Sequence, residues 1–393
     1  MRKPLLGMAA LALLSACGGG GGDDGVIVVP GPTPTPAPTP APTPAPTPTP
    51  TGYVTTEIGR GAYSSFAFLP DGRAVYTAGD GTISIAPAAA PGAPVALNGR
   101  IPSLQITGGG VLDLVIDPDF ASNGFVFFST TEGSSGTSVA MTIVRARMVG
   151  TGTTTSLVDV QPVWRGTQVP ITSRLGRFGG RMAFRNGYLL VAIGDFGIPA
   201  AAQDLSGSLG KIIRIARDGS PAPDNPQIGV IGRQVDVITA GHRDPTGLAV
   251  GSDGRIYETE NGPTVGDDIN VVEVGRNYGW PLASEGDQDD GTPYPRHSAV
   301  QGVTAPYYAW RTVTGPSGLL QVRGSRDGLA GQLLIGSVGG QEVLRGTPGT
   351  NALEIGQAIR VGSPVRIVAE APDGAVYGIT GGADGRIFRI DRR

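Results

Sequence analysis

Six times along the chain a tight-turn signal hands over to a short strand-like run, and that recurrence restricts the fold more than any other feature. Leu69-Pro70-Asp71-Gly72 leads into Arg73-Ala74-Val75-Tyr76, and Asp117-Pro118-Asp119-Phe120, by way of Asn123-Gly124, into Phe125-Val126-Phe127-Phe128. Arg185-Asn186-Gly187 leads into Tyr188-Leu189-Leu190-Val191, and Ser252-Asp253-Gly254 into Arg255-Ile256-Tyr257. The fifth and sixth copies are Asp327-Gly328-Leu329-Ala330-Gly331 before Gln332-Leu333-Leu334-Ile335, and Pro372-Asp373-Gly374 before Ala375-Val376-Tyr377. Asn-Gly and Asp-Gly supply the positive-φ positions of tight hairpins. The copies recur at intervals of roughly 40 to 75 residues, enough for a four-stranded blade with long loops. Sixty-four glycines and no sustained 3.6-residue period make the folded part all-β. The expected fold is a six-bladed β-propeller of four-stranded blades; a β-sandwich, the competing all-β fold, has no need of six copies of one hairpin.

The N-terminus reads differently. Met1-Arg2-Lys3 precedes an apolar run from Leu5 to Leu14, too short to be a permanent membrane span and of secretory-signal type. It ends in Leu14-Ser15-Ala16-Cys17, a lipobox pattern, and Cys17 is the sole cysteine. Residues 1–16 are therefore expected to be a lipoprotein signal peptide. Cys17 would be acylated and make membrane lipid a partner through two or three acyl chains. Gly18 after the cysteine favours the outer membrane. An ordinary signal peptide with an incidental cysteine is the alternative. Residues 17–52 continue as the acylated cysteine, a glycine-rich stretch and Pro-Thr and Pro-Ala repeats. Proline-rich chain of this kind is an extended, disordered stalk with nothing to bury. At about 3.1 Å per residue its proline-rich part reaches roughly 65 Å. Residues 53–393 form the propeller. Formal net charge is −3 with no basic run, so no nucleic acid is expected as a partner.

From Arg177 to Trp280 a series of short motifs follows in order. They are Arg177-Phe178-Gly179-Gly180-Arg181, Ile193-Gly194-Asp195, Ala202-Gln203-Asp204-Leu205, Gly210-Lys211-Ile212, Asp224-Asn225-Pro226 and Gly241-His242-Arg243-Asp244-Pro245. Glu260-Asn261-Gly262-Pro263, Gly266-Asp267-Asp268-Ile269-Asn270 and Asn277-Tyr278-Gly279-Trp280 complete the set. In that order and spacing the chain resembles the soluble pyrroloquinoline-quinone (PQQ) aldose sugar dehydrogenases, the glucose/sorbosone dehydrogenases. The likeness extends from Leu112-Asp113 to Pro372-Asp373-Gly374. It implies a propeller whose upper channel holds PQQ and calcium. There a histidine takes a proton from the sugar C1 hydroxyl as hydride passes to the quinone, and lysine and arginines offset the cofactor's carboxylates.

Against that pattern this chain departs at most positions. The family's base histidine falls at Arg177, and a guanidinium cannot accept a proton near neutral pH. The quinone-contacting glutamine falls at Gly108, the lysine at Gly339, a tyrosine near Asp289, and one of two arginines at Ala369. The arginine-asparagine pair is Arg243-Asp244, and the other arginine is Arg366. Arg243, Asp244 and Arg366 are thus the residues left for PQQ, and PQQ binding is not expected to persist.

For calcium the resemblance implies two ligand sets. The Gly262 and Pro263 carbonyls correspond to the catalytic site, and Asp268 and Tyr278 to a structural one. Such oxygen ligands suit calcium; alternatively Asp267 and Asp268 only shape the loop before a strand. His242 reads as a packing or loop-bonding residue and His297 as part of a polar loop, too far apart in sequence to suggest a metal site. Trp280 and Trp310 read as packing rather than sugar platforms. Asp195 and Gln203 face the channel or cap a turn.

Three functions are compatible with these residues. The first is a diverged propeller that binds a small-molecule sugar, another surface ligand or a partner without quinone chemistry. The second is an active PQQ-dependent aldose dehydrogenase forming a lactone, with its site rebuilt around Arg177. The third is a calcium-dependent, lactonase-like hydrolase.

Overall fold

The computed structural model describes residues 52–133, 137–172, 175–227, 229–288, 290–324 and 326–393. Cys17, the stalk through residue 51 and Asp289 lie outside them. Among the described residues no helix is long and apolar enough to cross a membrane.

Six antiparallel sheets form six blades, as the repeated turns predict. Blade 1 comprises Ser65–Phe68, Ala74–Thr77, Thr82–Ala86 and Val95–Arg100. Blade 2 comprises Val111–Ile116, Phe125–Glu132, Ser138–Val149 and Ser156–Arg165, with the short Val169–Pro170 pairing on its third strand. Blade 3 is built from Gly179–Arg185, Tyr188–Ile193, Lys211–Ile215 and Val237–Ala240. Blade 4 follows with Pro245–Val250, Ile256–Glu260, Asp268–Val272 and Tyr308–Ala309. Blade 5 has Pro316–Gln321, Leu333–Ser337, Glu342–Pro348 and Leu353–Arg360. In blade 6, Val365–Glu370, Val376–Thr380 and Arg386–Arg392 are completed by Tyr53–Arg60 from the other end of the chain.

Each predicted turn joins the first and second strands of a blade. First strands of successive blades touch one another around a ring and so line the central channel. They run from an upper face, where Arg177 and Arg243 stand, to a lower face carrying the Asp-Gly and Asn-Gly turns.

Between blades the sheets pack face to face, so second strands are covered on both sides and lose the apolar-polar alternation of a half-exposed strand. Leu189, Leu190, Val191, Ala192 and Ile193 are all fully buried. Phe127, Met141, Phe178, Leu189 and Ile213 form one cluster between blades 2 and 3. Trp310 packs with Tyr257, Leu333 and Leu353 between blades 4 and 5. Burial of each such side chain contributes about 1.5–3 kcal/mol.

Candidate functional site

On the upper face, loops entering blades 3 and 4 converge. Gly194 permits it: a Cβ there would lie 1.8 Å from the Arg177 carbonyl oxygen. Arg177 itself takes φ 54°, a left-handed conformation uncommon outside glycine. From that backbone its guanidinium reaches Asp195, with Nε donating to Oδ1 at 2.7 Å and Nη2 to Oδ2 at 3.1 Å. Asp195 is fully buried. Its carboxylate also accepts from the Trp280 indole N–H at 2.8 Å and the Gly197 N–H at 2.8 Å. Arg177 at the end of this network is a fixed cation.

Arg243 is the second cation of the site. Nη1 donates to the Asn261 carbonyl at 2.9 Å, and the guanidinium lies over the Trp280 ring, 5.3 Å from its centroid. Its Nε is buried without an acceptor, and Arg243 makes no ion pair among the described residues. Burial and the nearby Arg177 lower its pKa from the ordinary value, although a guanidinium stays charged in proteins. Arg177, Gly197, Pro199, Arg243, Pro263, Trp280, Gln288, Asp290 and Tyr294 enclose a pocket of about 660 Å³. Tyr294 leans on Trp280 with ring centroids 5.2 Å apart.

Of the other residues suggested for PQQ, Asp244 is half-buried and accepts from Asn261 Nδ2 at 3.1 Å. Burial pushes its carboxyl above the usual range. It does not line the pocket, and neither does Arg366, an exposed residue of blade 6 whose charged neighbour is Arg181. Gly108 and Gly339 are also absent from the pocket wall. Ala369 lines the apolar opening of the channel on the lower face. The expected loss of an arginine there therefore does not bear on the Arg177–Arg243 pocket.

All four residues assigned to calcium meet behind this pocket. Gly262, Pro263, Asp268 and Tyr278 line one polar space of about 20 Å³, with Glu260, Asn270 and Ser284. That is room for one ion or water. The register explains the convergence: Glu258 pairs with Asn270 and Glu260 with Asp268 across adjacent strands of blade 4. Alternate residues of a strand share a face, so three carboxylates and a carboxamide gather there. Burial together with the neighbouring carboxylates raises both Glu258 and Asp268 well above their ordinary values. Glu258 Oε1 is buried without a partner.

The two acids of the Asp267-Asp268 pair have different tasks. Asp267 shapes the loop, accepting from the N–H groups of Gly262, Thr314 and Gly315 and from the Thr314 hydroxyl. Asp268 faces the polar space. Tyr278 contributes its ring to the wall while its hydroxyl donates to the Val271 carbonyl at 2.6 Å.

His242 is fully buried and bonded at both nitrogens, to Glu260 at 2.5 Å and Thr239 at 2.9 Å. It is the bonded, packed residue the sequence suggests, yet with Glu258 and Glu260 it also forms a group of metal-capable side chains. The sequence reading missed that group; Glu258 and Glu260 two apart, followed by an Asp-x-Asn strand, were the available signal. His297, expected in a polar loop, is instead buried, bonded to Glu285 at 2.9 Å and the Tyr278 carbonyl at 3.0 Å. Gln203 ties two loops together, donating to Asn277 Oδ1 and the Trp280 carbonyl. Trp310 packs as expected, whereas Trp280, though buried, also lines the upper pocket.

The glucose/sorbosone dehydrogenase family profile matches residues 63–389. Aldose sugar dehydrogenase YliI of Escherichia coli is 31% identical over 296 residues, covering 72% of this chain and 78% of that protein. A crystal structure of the soluble aldose sugar dehydrogenase from Escherichia coli, in the apo-form, superposes with a TM-score of 0.81 at 26% identity. It covers 87% of this chain and 100% of that one. The PQQ-bound aldose sugar dehydrogenase from Streptomyces coelicolor gives a TM-score of 0.70 at 27% identity over 88% of this chain and 99% of that one. With the profile spanning nearly the whole propeller, the chain belongs to the glucose/sorbosone dehydrogenase family.

Proposed function

We propose that this protein is a lipid-anchored, ligand-binding propeller of the outer membrane, held through Cys17, whose upper pocket no longer passes hydride from a sugar to PQQ. One observation carries the reading: Arg177, at the position of the family's base histidine, is committed to the fully buried Asp195 by two hydrogen bonds. A permanently protonated group cannot remove the C1 hydroxyl proton. Asp195 is itself held by Arg177, Trp280 and Gly197, which leaves it poorly placed to act instead.

These residues do not fit PQQ. Of the two pocket cations, Arg177 is already matched by Asp195, and Arg243 alone faces three cofactor carboxylates. Desolvated, unmatched anions are costly.

Calcium does fit. Glu260, Asp268 and Asn270 supply hard oxygen donors around a space of ion size, and Glu258, whose Oε1 is buried without a partner, stands beside Glu260. Bound there, calcium would neutralise the buried acids and stiffen the loop that positions Trp280. The same small volume argues against a hydrolase, since no substrate reaches an ion in a space of about 20 Å³.

A dye-linked assay of the full chain with PQQ, calcium and glucose tests the proposal. No saturable PQQ binding and no turnover are expected. Turnover would overturn it and favour the dehydrogenase reading, which the retained Arg243 supports.

A further inference from the structure

The upper pocket has features that narrow its ligand, and resting on the ligand-binding reading we infer that it binds an acidic carbohydrate, a sugar bearing one carboxylate. Three observations converge.

The first is charge. Asp195 offsets Arg177, while among the described residues Arg243 has no ion pair and its buried Nε has no acceptor. Only Nη1 of Arg243 is used, by the Asn261 carbonyl. Asp195 engages Nε and Nη2 of Arg177 and leaves Nη1 without an acceptor among the described residues. The wall therefore offers free guanidinium N–H groups and, at Arg243, a positive charge with no carboxylate bonded to it; the other charge of the wall, Asp290, stands exposed on the rim. A single carboxylate satisfies both, and guanidinium is the side chain best shaped to hold one. A neutral sugar leaves the charge unmet, and a tricarboxylate brings two negative charges too many.

The second is the surface beside the cations. Half-buried Tyr294 rests on Trp280 and offers an aromatic edge to a sugar's C–H face. The third is the rim. Gln288 and Asp290 are exposed there and can partner hydroxyl groups, which an aromatic or aliphatic acid lacks. A volume of about 660 Å³ lies within the range of small-molecule sites.

Titration calorimetry of the full chain with galacturonate, glucuronate and galactose tests the inference, with Trp fluorescence as a second readout. Galactose has the ring hydroxyls without the carboxylate. The expected result is binding of the uronates at least tenfold tighter than galactose, weakening as salt rises. Arg243→Gln should abolish that preference and Arg243→Lys should recover part of it. Tyr294→Ala, a rim change that spares the buried network, should weaken both sugars together. Equal affinity for acid and neutral sugar, or no binding by either uronate, overturns the inference. So does an unchanged preference in a folded Arg243→Gln protein. Glucose oxidation in the parallel PQQ assay instead overturns the ligand-binding reading on which it rests, so the two failures are separable.

Discussion

Glu258 and Asp268 share a single hydrogen-bond donor: Asn270 Nδ2 lies 2.9 Å from Glu258 Oε2 and 2.9 Å from Asp268 Oδ1. One amide nitrogen cannot offset two carboxylates, one buried and one half-buried, and desolvation beside Glu260 pushes both acids toward the protonated form. A divalent cation reverses that balance, because its ligands must be deprotonated. Calcium should therefore raise the melting temperature of chelator-treated protein, more at pH 8 than at pH 5, where protons compete for the same oxygens. Glu258→Gln should remove most of the calcium-dependent increment. Differential scanning calorimetry with and without calcium reads both effects, and a melting temperature indifferent to calcium at pH 8 would exclude the site.

Arg177 and Asp195 make a second testable pair. Asp195 is fully buried and Arg177 about a quarter exposed, so the pair is screened less than a surface bridge. Arg177→Leu leaves the carboxylate with only the Trp280 and Gly197 donors and should cost about 3 kcal/mol, the low end for breaking a buried pair. Asp195→Asn should cost less, since the arginine can turn toward water. The double variant should be more stable than the summed single losses imply. Urea denaturation of the three variants supplies the cycle, and simple additivity would show that the two side chains are not coupled.

How far the sequence could be read depends on the distance over which each feature is determined. The six Asp-Gly and Asn-Gly turns are local, and each joins the strands expected of it. Tyr53–Arg60 is the opposite case: its partner, Arg386–Arg392, is at the other end of the chain, and no local pattern pairs them. The Arg177–Asp195 bond is equally hidden, because it depends on a left-handed residue and on close approach at Gly194. The carboxylate cluster was half legible. Alternation puts Glu258 and Glu260 on one face, but the register that brings Asp268 and Asn270 opposite them belongs to the sheet.

Closure of the ring carries its own prediction. Removing residues 53–60 leaves Arg386–Arg392 as an unpaired edge and uncovers the Ile387 and Tyr377 cluster on which Ile58 packs. Exposed edges of this kind pair with other chains. The truncated protein should melt about 10 °C or more lower, equivalent to several kcal/mol in a domain of this size. It should also form oligomers detectable by light scattering, whereas a truncation ending at Gly52 should stay monodisperse.

Lys211 gives the last prediction. It is fully buried in blade 3, and its Nζ donates to the carbonyls of Ala201, Leu209 and Ala202 at 2.7–2.9 Å. No carboxylate is close enough for an ion pair among the described residues, and burial lowers the ammonium to about 8. In the unfolded chain the same group titrates near 10.4. Between these values the unfolded state holds the proton and the folded state does not, so unfolding free energy should rise with pH from about 8 to about 10.4. The slope from this residue is at most about 1.4 kcal/mol per pH unit. Lys211→Met should remove that contribution and, by leaving the Leu209 carbonyl without a donor while Ala201 and Ala202 of the Pro199–Gln203 turn keep the Asp204 and Gly241 N–H groups, cost about 1–3 kcal/mol at neutral pH. Chemical denaturation at half-unit steps from pH 7.5 to 10.5 separates the two effects. An identical pH slope in wild type and Lys211→Met would mean that the buried amine keeps its proton throughout, held by the three carbonyls.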